Sequence, residues 1–383
     1  MSSFLPLIGL VLVALGIGIV GVTNGIQIFT HKLLADGHLA EQCQRQRLIL
    51  MQVRSLLWLL VLAMLAGVIY AYLNKDNKEN KAIVAKRSAL MPVFDKDKLW
   101  EAPDFYLAET DNEARLIKYG RDLIANTQDY FGENGLVRPA TINGMNCQNC
   151  HLDAGTKPFG NNYFAVQSTY PQMRSRSNAL ETIPKRVNDC FMRSLNGQAI
   201  DTTSQEMNAI LAYMRWLGTS IPKGEKPKGQ GLVEMPKLQR AADPRLGQRI
   251  YAEKCISCHG SNGEGLPIPE SARNYPPLWG DKSYNEAAGL FRLSRFAGYV
   301  KANMPFGATF QNPQLSDEEA WDVAAFVNAK PRPKHPFLDT DWPNIAKKPF
   351  DHPFGPYADT FPEIQHKFGP FEPIIAFQKS TKK

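Results

Sequence analysis

The chain is 383 residues long, with 44 lysines and arginines against 37 acids, a net charge of +7 and six cysteines. That length gives room for two or three domains. So modest and diffuse an excess of positive charge excludes a nucleic-acid-binding protein, but suits an anionic substrate, an acidic redox partner or a lipid surface.

Residues 1–30 carry no charged side chain, and residues 4–22 are almost continuously apolar. A secretory signal peptide starts with a basic segment and ends at a small-residue cleavage site. Met1-Ser2-Ser3-Phe4 has no basic residue, no clear Ala-x-Ala follows, and the run reaches the roughly 20 residues that span a bilayer. Residues 56–73 form a second such run. Together they predict a transmembrane hairpin, with one helix in 1–30, a loop at 31–55 and a second helix at 56–73. Ala14, Gly18, Gly21 and Gly25 include small-xxx-small spacings, which suit packing against the second helix or docking of another membrane subunit. Lys32, Arg45, Arg47 and Arg54 outnumber Asp36 and Glu41 in the loop, which places it in the cytoplasm. Neither helix holds a histidine, so no haem is expected inside the bilayer, and His31 and His38 lie in or beside the loop. Residues 74–98 read as a solvated stalk, because seven of the fourteen residues at 74–87 are charged.

Two domains follow on a repeated plan. The first, 99–225, has apolar residues at helical spacing over 111–130 and again over 204–217, where Met207, Ile210, Leu211, Met214 and Leu217 share a face. Residues 221–244, rich in Lys, Gly and Pro, read as a linker. In the second domain, 226–330, a helix at 245–253 runs into Cys255, and Ser316-Asp317-Glu318-Glu319 opens another through Val327 with a capping box. The tail, 331–383, contains ten of the 27 prolines but also Phe337, Trp342, Phe350, Phe354, Tyr357, Phe361, Phe368, Phe371 and Phe377. So many aromatic residues are at odds with a disordered segment, and the tail is expected to be extended and packed on both domains.

Each domain holds one Cys-x-x-Cys-His motif: Cys147-Gln148-Asn149-Cys150-His151 and Cys255-Ile256-Ser257-Cys258-His259. The spacing lets two sulfurs form thioethers to one porphyrin while the adjacent histidine takes the iron, so two covalent haem c groups are expected. A zinc site would need two more thiolates or imidazoles nearby, and neither motif has them. Because c-type haem is attached outside the cytoplasmic membrane, the haem domains belong in the periplasm and the chain in the inner membrane. Cys43 and Cys190, the cysteines left over, then lie on opposite sides of the bilayer and cannot pair. For the second iron, Met304 in Asn303-Met304-Pro305-Phe306-Gly307 stands where a methionine ligand would be, and such ligation raises the potential. No histidine lies between His151 and His259, so the first iron must look to Met173, Met192, Met207, Met214 or the unpaired Cys190. Met207 and Met214 belong to the helix's apolar face, and an iron short of a ligand favours the thiol.

The residues around these positions resemble the di-haem thiosulfate dehydrogenases. The resemblance is carried by Asn143-Gly144-Met145-Asn146 leading into the first motif, and by Pro158-Phe159-Gly160-Asn161-Asn162 and Tyr170-Pro171-Gln172-Met173-Arg174-Ser175-Arg176 after it. It continues through Asn188-Asp189-Cys190-Phe191-Met192-Arg193-Ser194-Leu195-Asn196-Gly197, then Pro353-Phe354-Gly355-Pro356-Tyr357-Ala358-Asp359 and Phe361-Pro362-Glu363 in the tail. It implies a mainly α protein of two tandem class I cytochrome c domains. It implies Cys190 as distal ligand of the active-site haem and Met304 as ligand of the other. Some members carry lysine beside that methionine, where this chain has Asn303. The hairpin departs from the family, whose familiar members are soluble in the periplasm.

Joining two thiosulfates into tetrathionate releases two electrons, one for each haem. Two dianions repel by several kcal/mol at low effective dielectric, so the site needs fixed positive charge. Arg174, Arg176, Lys185, Arg186 and Arg193 cluster around Cys190, and guanidinium forks bind oxyanions without deprotonating. Arg176 and Arg186 match basic positions of the family's site, with Ser194 and Gln167 as hydrogen-bonding candidates and Cys190 as ligand and sulfur nucleophile. Electrons would pass from the first haem to the second and on to an acceptor cytochrome or terminal oxidase. The rival readings are a non-catalytic di-haem relay of a membrane respiratory complex, and the reverse reaction, tetrathionate reduction.

Overall fold

The computed structural model of the protein describes residues 40–89, 93–103, 105 and 111–381, with positions 21, 24 and 28 besides. The chain divides into two compact units, Met1–Val84 and Ala85–Lys383. The first expected membrane helix lies outside the described residues, save Gly21, Asn24 and Ile28. The second lies within one long helix, α1 (Ala40–Ala89). Within its stretch Arg47–Lys75 an 18-residue window reaches a mean hydropathy of 2.4 with none of it buried, and among the described residues this helix alone is long and apolar enough to cross a membrane. At 1.5 Å per residue those 29 residues extend about 44 Å. The helix also runs through residues 40–55 and 74–89, expected as loop and stalk. Gln, Arg, Lys, Leu and Ala, which dominate there, are good helix formers, and their charge makes the helix solvated rather than irregular.

The second unit contains the repeated domains. In the first, α2 (Asn112–Ala125) is capped by Asp111, whose carboxylate accepts from the Glu113 N–H at 3.0 Å. It buries Ala114, Ile117, Gly120, Leu123 and Ile124. The helix ends earlier than its apolar pattern. Asn126 leaves helical geometry, and the Thr127 hydroxyl, bonded to the Leu123 carbonyl, accepts the Cys147 N–H at 3.0 Å. A short antiparallel hairpin, β1 (Gln172–Arg174) and β2 (Ala179–Glu181), leads into α3 (Ile183–Arg193). Then α4 (Gln205–Leu217), capped by Ser204, packs across α2. The second domain repeats this with α5 (Pro244–Lys254), α6 (Leu293–Asn303) and α7 (Asp317–Asn328). Ser316 and Glu319 form the expected reciprocal cap on α7.

Each domain puts a glycine where its first and last helices cross. A Cβ on Gly120 would stand 2.0 Å from the Ala209 carbonyl oxygen, and one on Gly247 1.9 Å from that of Asp322. Close backbone approach of this kind admits no side chain, and its recurrence marks the two domains as copies of one design.

The linker is strapped to the first domain. Phe159 and Asn161 donate their N–H groups to the carbonyls of Gly229 (2.7 Å) and Gly231 (2.9 Å). The tail, expected to be extended, is not extended throughout. It forms α8 (Glu363–Phe368) and α9 (Glu372–Ser380), the latter with Pro373 in its first turn. Proline is tolerated there because that N–H has no helical partner. Phe371 and Ile374 are buried in the second domain's core, with Phe371 5.6 Å from the Trp321 ring. Asp351, fully buried, accepts from Arg292 Nε at 2.8 Å and from the Ser294 N–H at 3.0 Å.

Candidate functional site

Two cavities hold the two motifs. The first, about 200 Å³, is lined by Cys147, His151, Tyr163, Tyr170, Arg174, Arg186, Val187, Cys190 and Met214, among others. The second, about 430 Å³, is lined by Cys255, Cys258, His259, Tyr299, Val300, Asn303 and Met304, and across from them by Met145, Asn149, Cys150 and Leu152 of the first domain. The Tyr299 hydroxyl donates to the Asn149 carbonyl at 2.7 Å along this wall.

The motif residues fit haem. None of the four thiols is in a disulfide. Burial pushes Cys147 and Cys150 up to about 12 and Cys255 up to about 11. Among the described residues no group of three His, Cys, Asp or Glu side chains converges as a metal site. His151 Nδ1 is bonded to the Asn161 carbonyl, and His259 Nδ1 lies 3.0 Å from that of Pro276. A carbonyl can only accept, so Nδ1 carries the hydrogen and Nε2 keeps its lone pair for iron. Burial pulls His151 down to about 4 and His259 below its ordinary value, which keeps both rings neutral. Asn161 is itself held by Gly231, so the ordered linker orients the first imidazole.

The active face of the first cavity comes from α3. Thr182 caps it and Pro184 sits in its first turn. Arg186, Cys190 and Arg193 follow at i, i+4 and i+7, one side of a helix. Arg186 and the half-buried Cys190 line the cavity. The nearby Cys190 sulfur pushes the Arg186 pKa up, and Arg186 in turn helps to lower that of His151. Arg186 makes no ion pair among the described residues. Arg174, at the end of β1, reaches the same cavity and pairs with Glu181 at 3.7 Å.

Other expected residues stand elsewhere. Arg193 forms a fork with Asp341 of the tail, Nη1 to Oδ2 at 2.6 Å and Nη2 to Oδ1 at 2.8 Å. Arg176 shares that carboxylate at 3.8 Å, donates to the Ala287 carbonyl at 3.2 Å and lies 5.8 Å from the Trp342 ring centre. Burial, with Arg193 and Arg186 close by, lowers Arg176 to about 10. Lys185 pairs with Asp189 at 2.7 Å. Ser194 closes α3, and its hydroxyl makes no hydrogen bond among the described residues. Gln167 is in the short helix Val166–Thr169 and does not line the cavity. Of the methionines weighed for the first iron, Met173 is exposed, Met207 is buried in the helix crossing, and Met192 does not line the cavity. Met214 lines it along with Cys190.

Three charged residues at this site went unread in the sequence, Glu181, Asp341 and Arg295. Asp341 is far from the arginines it binds, and nothing local marks it. Arg295 of α6 lies within electrostatic reach of Arg174 and Arg186, and only the folded arrangement brings it there.

Comparison with known proteins finds relatives for both domains. Residues 132–222 match the family model described as SoxA/TsdA, cytochrome c domain, and residues 244–330 match that described as cytochrome c. Thiosulfate dehydrogenase of Psychrobacter arcticus is 41% identical over 204 residues, 53% of this chain and 61% of that protein. Thiosulfate dehydrogenase of Thiomonas intermedia is 36% identical, over 59% of this chain and 69% of its own. That of Allochromatium vinosum is 37% identical over 60% and 81%. Among solved structures, thiosulfate dehydrogenase (TsdBA) from Marichromatium purpuratum, in its as-isolated form, superposes with a TM-score of 0.57 at 30% identity, covering 63% of this chain. The chain spans 61% of the Psychrobacter relative and about half of the Marichromatium chain, 51%.

Proposed function

Because the chain belongs to the thiosulfate dehydrogenase family, we propose that it joins two thiosulfates into tetrathionate at the Cys190 cavity. The observation that carries this reading is the gathering of a haem motif, an unpaired guanidinium and a free thiol in one cavity: Cys147 with His151, Arg186 and Cys190.

His151 and His259 would be the proximal ligands of the two covalent haems, with Cys190 and Met304 on their distal sides. When bound, these groups take up the two electrons released and hand them to a respiratory acceptor. The chain's own part is electrostatic. A sulfur–sulfur bond forms between the terminal sulfurs of two dianions, and no proton moves. Arg186 and Arg174 hold the oxyanion ends and offset the repulsion between the two substrates. Cys190, one helical turn from Arg186, brings its sulfur to the same place, as ligand and as the nucleophile open to sulfur transfer. Ser194 and Arg176 border the site in this reading without lining the cavity. The apolar stretch Arg47–Lys75 would hold the enzyme in the inner membrane with its haem domains in the periplasm. A reporter fused after Lys383 that works only in the cytoplasm would overturn that placement.

The test is turnover by the purified full chain with thiosulfate and an oxidised one-electron acceptor. One tetrathionate per two thiosulfates and two electrons is expected. Cys190→Ala should abolish turnover and the low-spin thiolate signal in electron paramagnetic resonance while both haems stay attached. If the unmodified, fully haem-loaded protein turns over neither thiosulfate nor tetrathionate, the non-catalytic relay is correct. Turnover only from tetrathionate and a reduced acceptor would reverse the direction.

A further inference from the structure

The arginines around Cys190 are not equally free, and what divides them is the tail. On the hairpin and α3 stand Arg174, Arg176, Arg186 and Arg193. Glu181 faces the first, and Asp341 alone faces both Arg176 and Arg193. Among these four arginines two guanidinium charges therefore remain uncompensated, with Arg295 within electrostatic reach of Arg174 and Arg186. The Asp341 carboxylate keeps 7% of its side-chain surface exposed, and the Arg193 side chain 10%. The next residue fastens it: the Trp342 N–H donates to the Arg176 carbonyl at 2.7 Å, and the Trp342 ring lies against the Arg176 guanidinium. Arg193 lies on the same helix face as Cys190 and Arg186, one turn further on. The two-toothed grip of Asp341 on Arg193 is the grip a guanidinium offers to a substrate oxyanion.

We propose that Asp341 is a positioning residue that sets the anion affinity of the Cys190 cavity, by occupying Arg193 and Arg176 and leaving Arg186 and Arg174 to the substrate. The inference rests on the thiosulfate reading for its substrate, and on the ion-pair geometry for the rest. Thiosulfate and tetrathionate are both dianions, so a site that gained a further free guanidinium would hold the product as well as the substrate. The tail carboxylate keeps the cavity positive enough to collect a dianion and lets the product leave.

The test uses the full, haem-loaded chain and sulfate, a dianion that does not react, as probe. Asp341→Asn adds one uncompensated positive charge beside the cavity. At the effective dielectric of a protein surface this should tighten sulfate binding by about tenfold. Under turnover the KM for thiosulfate should fall, kcat should fall too, and inhibition by tetrathionate should deepen. Asp341→Glu restores the charge and should return all of these towards the starting values. Arg193→Gln removes a positive charge and should weaken sulfate binding. It carries the test alone if Asp341→Asn does not retain both haems. Unchanged or weaker sulfate binding in Asp341→Asn, or unchanged binding in Arg193→Gln, overturns the proposal. Sulfate binding needs no turnover, so the expected shifts in a protein that does not oxidise thiosulfate would sink the oxidation reading and leave this one standing.

Discussion

Gly120→Ala and Gly247→Ala should each destabilise the domain in which the glycine sits, against the ordinary preference of a helix. In an unencumbered helix, alanine is favoured over glycine by about 1 kcal/mol. Here the new Cβ would meet a backbone carbonyl at 2.0 Å for Gly120 and 1.9 Å for Gly247, where ordinary contact begins at 3.4 Å. The crossing helices must separate by about 1.4 to 1.5 Å, the difference between those distances. The obstacle is backbone on a packed helix, not the end of a flexible side chain. The overpacking cost therefore lies at the upper end of its range, about 3 kcal/mol. Set against the propensity gain, each variant loses about 2 kcal/mol, a fall in Tm of about 4 to 8 °C for a unit of this size. Thermal unfolding followed by circular dichroism gives the shift, and the absorbance of each haem shows which domain yields first. A rise in Tm for either variant would refute the close-crossing argument, since propensity would then have won.

Asp351→Asn should cost about 3 kcal/mol, the low end for breaking a buried ion pair, because Arg292 keeps 21% of its side chain exposed. Equilibrium denaturation would measure it. The same pair fixes a pH dependence. Burial pushes the Asp351 carboxyl up, but Arg292 and the Ser294 N–H and hydroxyl outweigh it and leave it below its ordinary value. Its contribution is thus whole above the ordinary carboxylate pKa of about 3.9 and is lost as pH falls through the lower folded value. Wild type and Asp351→Asn should accordingly converge in stability in strong acid. Met304→Ala should change the spectrum and potential of the second haem and slow electron exit, leaving sulfate affinity at the first cavity unchanged. Optical redox titration beside sulfate titration separates the two.

The parts legible in the sequence were those written locally. The two Cys-x-x-Cys-His motifs, the Ser316 capping box and the apolar faces of α2 and α4 each lie within a few residues of their cause. The spacing of Arg186 and Cys190 on one helix face was equally readable. The division of the arginines was not, because Asp341 is 148 residues from Arg193. Charge composition alone suggested loop and stalk at 40–55 and 74–89, and helix propensity prevailed. The count of prolines in the tail hid their positions, one of which opens α9 instead of breaking it.

The wall between the two cavities has a consequence for inheritance. Cys150 anchors the first haem motif yet packs into the second domain's core, and Met145, Asn149 and Leu152 face the second cavity beside it. The duplicated units have thus ceased to be modules. A fragment beginning at Pro244 would be a cytochrome fold with its haem chamber open on one side. Substitutions on the shared wall will register in both chromophores at once, so the second copy cannot be truncated or transplanted without the first.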